Sequence, residues 1–420
     1  MSLIMSEREG DIFIRQLLNI GEAMYQAGGE ISRIEDSLHR LGKKYGAKHV
    51  SVYAITSSIV LTAEFENDFS ITQIRRITKR GSIDCLKMKK LNQLCRDCEA
   101  SPIKVEELQK RVLELLAEKP STNWIYLGQF IAAMAFTIFF GGTWKDSLVA
   151  AVGVCIICLM QQYIKKYCSA ELFFNLTTSL IVGLVVNVIS LFLKGLHVNQ
   201  ILIGVIMVLI PGIAITNSIR YILSGDIISS FEKLMDSLMQ AFGIAAGFSL
   251  SLLIVRCNPV SAVPLLEPLK SIIQLVAAAF GTLGFCIAFN IKKEHIVVPA
   301  FGGLICWACY LLFQSLSVGV FASTLMSTII VGIYGAVFAH IIKVPTTILF
   351  IPACVPLIPG GNLYYLTLAL ISSDWDRCLD NLVLLILYAV GIALGLAIVS
   401  ESEKTIHNVK KLSPKGRKVR

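Results

Sequence analysis

Between residues 121 and 400 the chain is written as a succession of apolar runs, each about 20 residues long. A helix of that length rises about 30 Å, the thickness of a bilayer's hydrocarbon core. The runs fall near 123–142, 147–164, 171–193, 198–219, 234–255, 268–290, 296–314, 319–342, 345–371 and 379–400. Charge is sparse there: residues 121–400 hold 12 Lys/Arg and 10 Asp/Glu, whereas residues 1–120 hold 19 and 17. With 55% hydrophobic and 16% charged residues overall, a water-soluble fold would struggle to cover its surface. The pattern predicts an all-α polytopic membrane protein of ten transmembrane helices with a small N-terminal α+β domain in water.

The basic residues set the orientation. The first sixteen residues lack the basic start and continuous apolar stretch of an export signal, so the N-terminus is expected in the cytosol. The short loops on that side then hold Lys165, Lys166, Arg220, Lys233, Lys292, Lys293 and Lys343, against Lys145, Lys194, Arg256, Lys270 and Arg377 outside. Seven against five is a small bias. The last twenty residues add seven Lys/Arg against two acidic residues, and ten spans bring that tail back to the cytosol. The expected location is the cytoplasmic membrane with both termini inside. More than half of the formal charge of +9 lies in this juxtamembrane tail, which suits anionic lipid and argues against nucleic acid as a partner.

The membrane half is one unit written twice. Phe140–Gly153 resembles Phe289–Gly302 at an offset of 149, and Ser179–Leu184 falls on Thr328–Ile333 at the same offset. One residue of slippage later, Leu209–Gly212 matches Leu357–Gly360. Any one apolar match means little, but a shared offset ending on the same Pro-Gly pair is hard to obtain by chance. Each unit has five spans, and an odd number forces the second copy to enter from the opposite side. Two inverted five-helix repeats are the expectation, an arrangement found in many secondary transporters. The domains expected are 1–120, 121–260, 261–403 and a basic tail at 404–420.

The Pro-Gly pairs break helices. Proline removes a backbone donor and clashes with the preceding turn, and glycine adds backbone freedom. In lipid the freed groups find no partner, so such a break is tolerated where it lines a cavity; the alternative is a kink satisfied by neighbouring helices. Polar residues follow each break. The substrate-binding candidates are therefore Pro211, Gly212, Thr216, Asn217 and Ser218 in the first copy, and Pro359, Gly360, Gly361 and Asn362 in the second.

Residues 7–42 carry apolar positions at helical spacing, interrupted at Gly28-Gly29. Three alternating stretches near 48–55, 57–65 and 70–78 read as strands, and two amphipathic helices follow near 83–98 and 104–118. Within this region Ala27–Asp36 resembles the N-terminal signature of the threonine/serine exporter family, with Ser32 where that family usually has threonine. Leu209–Asp226 is similar to the family's motif after its fourth span, and Val355–Gly361 resembles its C-terminal module. The resemblance covers nearly the whole chain in the order of a fused protein. It implies ion-coupled outward transport of small amino acids with a proton as coupling ion. Family versions split over two chains include one associated with succinate export, so a dicarboxylate is the alternative substrate.

Ionisable residues deep in a span usually mark an ion path, and none falls at the centre of a run. Coupling or gating candidates lie at inner ends: Asp226 first, with Glu171 and His340, and the loop pair Glu294 and His295. Asp226 is also a ready helix N-cap. Glu30, Arg33, Glu35 and Asp36 form a charged cluster that reads either as a solvated helix face or as a gating surface.

No nucleophile–base pair, metal-ligand set or phosphate loop occurs, so neither an enzyme nor an ATP-driven pump is expected, and no cofactor. Cys95/Cys98, Cys155/Cys158 and Cys306/Cys309 are spaced as in metal sites, but two pairs lie in apolar runs and the first has only Cys85 near it, short of the four ligands zinc needs. A membrane-anchored scaffold is a further alternative, though an anchor needs no repeat. A homo-oligomer is compatible with all of this.

Overall fold

The computed structural model describes residues 6–412 except 67–68, 79–80, 82, 119, 169, 211, 224 and 256–266. It divides into two compact units: Met1–Ile125 with Phe289–Lys292, and Tyr126–Ala288 with Lys293–Arg420.

The first unit is α+β. Helix α1 (Glu7–Gln26) starts at a capping box in which the Ser6 hydroxyl accepts from the Glu9 N–H and the Glu9 carboxylate accepts from the Ser6 N–H. It ends where Gly28 takes a positive φ of 91°, and α2 (Ile31–Lys44) follows. Strands β1 (Ala47–Ala54), β2 (Ser58–Phe65) and β3 (Ser70–Arg76) form an antiparallel sheet in that order. Alternation decides which face is buried: Ile59, Leu61, Ala63 and Phe65 of β2 turn inward, and Phe13, Leu17 and Leu38 of the helices are fully buried as well. Phe13 stacks on Tyr45 at 4.5 Å. Helices α3 (Cys85–Ala100) and α4 (Val105–Ala117) complete the unit, separated at Pro102.

A short remote segment belongs here too. The Phe289 carbonyl accepts from the Cys85 N–H at 2.9 Å, and Asn290 Nδ2 donates to Asp84 Oδ1 at 2.9 Å. Asp84 Oδ1 also caps α3 by accepting from the Lys87 N–H at 3.0 Å.

The second unit is helical. Its elements are α5 (Thr122–Phe139), α6 (Trp144–Leu159, continued by π- and 3-10 turns to Tyr167), α7 (Glu171–Phe192), α8 (Val198–Leu209), α9 (Gly212–Leu223), α10 (Ile227–Val255) and α11 (Glu267–Ala288). After them come α12 (Val297–Ser315), α13 (Val320–Ile342), α14 (Thr346–Ala353), α15 (Gly360–Ile371) and α16 (Trp375–Leu412). Among the described residues eight helices are long and apolar enough to cross a membrane. A ninth span is reached if the pair 346–353 and 355–370, bent by 41°, counts as one. Ten apolar runs thus become eight whole helices because the runs at 198–219 and 345–371 are both interrupted. The first is split into the twelve-residue helices α8 and α9, and the second passes through a 3-10 turn at Val355–Leu357.

Close helix packing here rests on small residues, since lipid tails give helices no hydrophobic reason to associate. A methyl at Gly243 would run into the Leu172 carbonyl and one at Gly247 into that of Leu176, so α10 lies directly on α7. On α16, Gly391 and Gly395 receive Thr324 and Thr328 of α13. Side chains such as Phe173, Leu253, Phe280 and Ile333 stay exposed, as lipid-facing residues do.

Candidate functional site

The two breaks meet. Ile210 ends α8 in extended conformation, its N–H donating to the Ile206 carbonyl at 2.8 Å, and α9 restarts at Gly212. In the second interrupted run the chain turns at Ile358 and Pro359, and α15 restarts at Gly360. A Cβ on Gly360 would stand 2.5 Å from the Met207 sulfur and 3.4 Å from Ile210 Cδ1; one on Gly361 would stand 3.2 Å from Phe140. A side chain at Gly360 would have to displace Met207 for α15 to begin so close to the end of α8. Between the breaks lies a small apolar crevice lined by Ile210, Ile215, Ile358, Pro359, Leu363, Leu385 and Ala389.

The polar residues expected around a substrate are distributed unevenly. Asn217 and Ser218 are buried on α9, where the Ser218 hydroxyl donates to the Ile215 carbonyl and the Ser218 carbonyl accepts from Ser230. Asn362 is half-buried in the first turn of α15. Pro211 and the side chain of Thr216 lie outside the described residues, as does the Gly212 surface. None of the polar candidates lines the crevice itself, whose wall is aliphatic apart from the ring of Pro359.

The breaks do share an electrostatic property. The first N–H groups of a helix lack intrahelical acceptors, and the aligned peptide dipoles leave partial positive charge there. Both α9 and α15 begin at the breaks. The ends of α8 and of the Val355–Leu357 turn supply carbonyls. The arrangement can hold an anion and a donor with no charged side chain.

The gating and coupling candidates lie apart from the breaks along the chain. Asp226 caps α10: its Oδ1 accepts from the Ser229 N–H at 3.2 Å. Glu171 opens α7 half-buried, and His340 is exposed in the last turn of α13. In the first unit Arg33 pairs with Glu30 at 3.6 Å. Glu35 Oε1 accepts from the Ala54 N–H at 2.8 Å, tying α2 to the end of β1. Arg40 bridges Asp36 to Glu99 of α3. Exposed pairs of this kind contribute little stability, so Glu35 is the member of the cluster with the clearest structural task.

Sequence reasoning missed a buried ionisable pair in the second unit. Asp146, in the first turn of α6, is 0% exposed, and His197, the residue before α8, is 5% exposed. His197 Nδ1 lies 2.9 Å from Asp146 Oδ2, and the His197 N–H donates to Oδ1 at 2.9 Å. Thr143 adds its N–H at 2.6 Å and its hydroxyl at 2.7 Å to Oδ2. Fifty-one positions separate the two residues, and no local motif joins them. The usable signal was a histidine at the border of an apolar run, a place shared by His295 and His340.

The family described as putative threonine/serine exporter matches residues 15–255, and the one described as "Threonine/Serine exporter, ThrE" matches residues 274–401. A threonine/serine exporter of Corynebacterium glutamicum is 21% identical over 394 residues, spanning 90% of this chain and 80% of that protein. A probable threonine/serine exporter of Mycobacterium tuberculosis is 20% identical over 407 residues, spanning 93% and 76%. No solved structure matches the chain.

Proposed function

This chain belongs to the threonine/serine exporter family, and on that premise we propose that it is a proton-coupled secondary exporter of threonine and serine across the cytoplasmic membrane. The observation that carries the reading is the meeting of two interrupted helices, with two helix N-termini and the carbonyl ends of two preceding segments near one crevice. An amino acid presents a carboxylate, an ammonium and, here, a hydroxyl. The helix N-termini attract the carboxylate, and the carbonyls accept from the ammonium. Asn217, Ser218, Thr216 and Asn362 are the candidates for the hydroxyl. A zwitterion is thereby stabilised without a buried charged side chain. The breaks lie too close together here for a substrate, so binding requires them to separate, and alternating access is that separation on one side and then the other.

Ten spans in two inverted repeats, with both termini cytosolic, follow from the same reading, and the helix pairings support it. Helix α7 packs on α10 as α13 packs on α16, and α6 on α7 and α8 as α12 on α13 and α14. The exchange of partners is reciprocal: α9 packs on α16, and α15 on α10. Gly128 of α5 abuts Gly284 and Ala288 of α11 while Phe136 abuts Gly281, so these first helices run antiparallel, as an axis in the membrane plane requires. Gly141 and Asn290, 149 apart, both take positive φ, 91° and 54°. The N-terminal domain completes or regulates transport in this reading and has no chemistry of its own.

Efflux of preloaded labelled threonine, serine and succinate, with and without the protein, is the test. Export of the two hydroxy amino acids is expected. Export of succinate alone would replace the substrate assignment, since a dicarboxylate leaves the carbonyl ends without a donor. Replacing Pro211-Gly212 by Ala-Ala, or Pro359→Ala, should close a break into continuous helix and abolish efflux with insertion intact. Normal efflux in both variants would move the site elsewhere.

A further inference from the structure

The Asp146 carboxylate accepts from two backbone N–H groups, the Thr143 hydroxyl and the His197 ring, all within 3.0 Å. Four donors on two oxygens fit an ionised carboxylate, which can only accept. The proton on the imidazole in contact with it therefore sits on Nδ1, and Nε2 is left as the ring's basic atom. Histidine is the side chain that changes charge in the physiological pH range. A second feature lies on the helix that His197 precedes. Gln200, one helical turn further along α8, is 8% exposed, and its Oε1 has no hydrogen-bond partner among the described residues. Gln200 Oε1 is thus a buried acceptor without a donor in the first turn of the helix that His197 caps. Orphaned buried acceptors of this kind are costly and call for a reason.

The charged residues nearest the pair along the chain are Lys145 and Lys194. Lys145, beside Asp146 on α6, and Lys194, in the α7–α8 connection, are both exposed. Helix α15 contributes Tyr364, buried against Leu196 and Val198, whose hydroxyl donates to Asn199 at 3.2 Å. Tyr364 lies three residues beyond Gly361, so the helix that begins at the second break also packs against the start of α8.

We propose that Asp146–His197 is the proton-binding site of the transport cycle, with the proton held at His197 Nε2. The proposal rests on the exporter reading and names its coupling group. In the proposed topology the pair sits at the outer end of α6, where a proton arriving from outside would meet it. Proton binding turns an anion beside a neutral ring into an ion pair, altering the start of α8, the helix whose far end is the first break.

The test uses the whole protein in proteoliposomes, with labelled threonine. Counterflow reads transport alone; net efflux under an imposed pH gradient reads coupling, with a pH-sensitive dye following protons. The wild type is expected to counterflow, and its efflux is expected to drive proton movement in the opposite direction. His197→Asn keeps an amide donor toward Asp146 and removes the titrating nitrogen. It should retain counterflow and lose the response to the gradient. His197→Asn that counterflows and responds like the wild type overturns the proposal while leaving the exporter reading intact. Should that variant not fold, wild-type efflux without opposing proton movement overturns it equally. Absence of threonine counterflow in the wild type defeats the exporter reading, and the proposal with it.

Discussion

A thiol becomes reactive only as thiolate, so burial protects it. In the N-terminal unit, burial, with the Asp84 charge adding to it, pushes the Cys85 thiol from an ordinary 9.0 up to about 12, and burial, with Cys98 nearby, does the same to Cys95. At pH 8 such a shift cuts the thiolate fraction about a thousandfold. Maleimide labelling of the intact protein in detergent should therefore spare both residues and reach them only after denaturation; rapid labelling of either in the folded protein would contradict their burial. The sign for stability follows from linkage. Below 9.0 both forms of the chain keep these protons. Between 9.0 and about 12 the unfolded chain releases them first, so the unit loses stability as pH rises through that window. The sequence supports only part of this. Cys95 and Cys98 at a three-residue spacing invite a metal reading, and their fate depends on burial, with Tyr45 of a distant segment beside Cys98, which is tertiary. The same limit hid Asp146: a lone acidic residue beside Lys145 looks like loop until His197 arrives from 51 positions away.

Elements were more legible than contacts. Three alternating stretches became β1, β2 and β3 within two residues of the expected ends, because period-2 burial is a local property. The interruption at Gly28-Gly29 fell where Gly28 has positive φ, the conformation a glycine permits cheaply. The two interrupted runs are those that carry the Pro-Gly pairs, although Pro211 itself lies outside the described residues. What the code did not specify is the seam between helices, where the identity of the neighbour decides what a glycine is for. Gly247 has the Leu176 carbonyl where its Cβ would stand, and backbone cannot yield. Gly335 has 3.7 Å of room. Gly247→Ala should cost about 1–3 kcal/mol, as overpacking does, and lower the thermal midpoint of the solubilised protein. Gly335→Ala should be nearly silent. Equal effects of the two substitutions would refute the close α7–α10 approach.

At the scale of the whole chain, parity carries the topology. Eight whole helices and two interrupted ones give an even number of crossings when both interrupted segments traverse the bilayer or neither does, and an odd number when one alone does; ten crossings are the number the repeat requires. Single cysteines placed near residue 8 and near residue 410 should then be shielded together from an impermeant reagent in whole cells and exposed together in inverted vesicles. Labelling from opposite sides would turn one broken segment into a re-entrant loop and dissolve the repeat. The sequence repeat suggested this arrangement through a shared offset, yet the reciprocal exchange in which α9 meets α16 and α15 meets α10 is a property of three dimensions.

The place of Phe289–Lys292 in the N-terminal unit has a consequence for biosynthesis. Translation proceeds at about 5–20 residues per second, and domains generally fold as they emerge, N-terminal ones first. The last residue of the unit's main segment is Ile125, and the segment that meets Asp84 and Cys85 is made more than 160 residues later. For roughly 8–33 seconds at that pace the ribosome has delivered the sheet and its four helices but not their final piece. During that interval the start of α3 has an unoccupied backbone donor at Cys85, and a chain arrested before the end of α11 carries a first domain that is folded but unfinished.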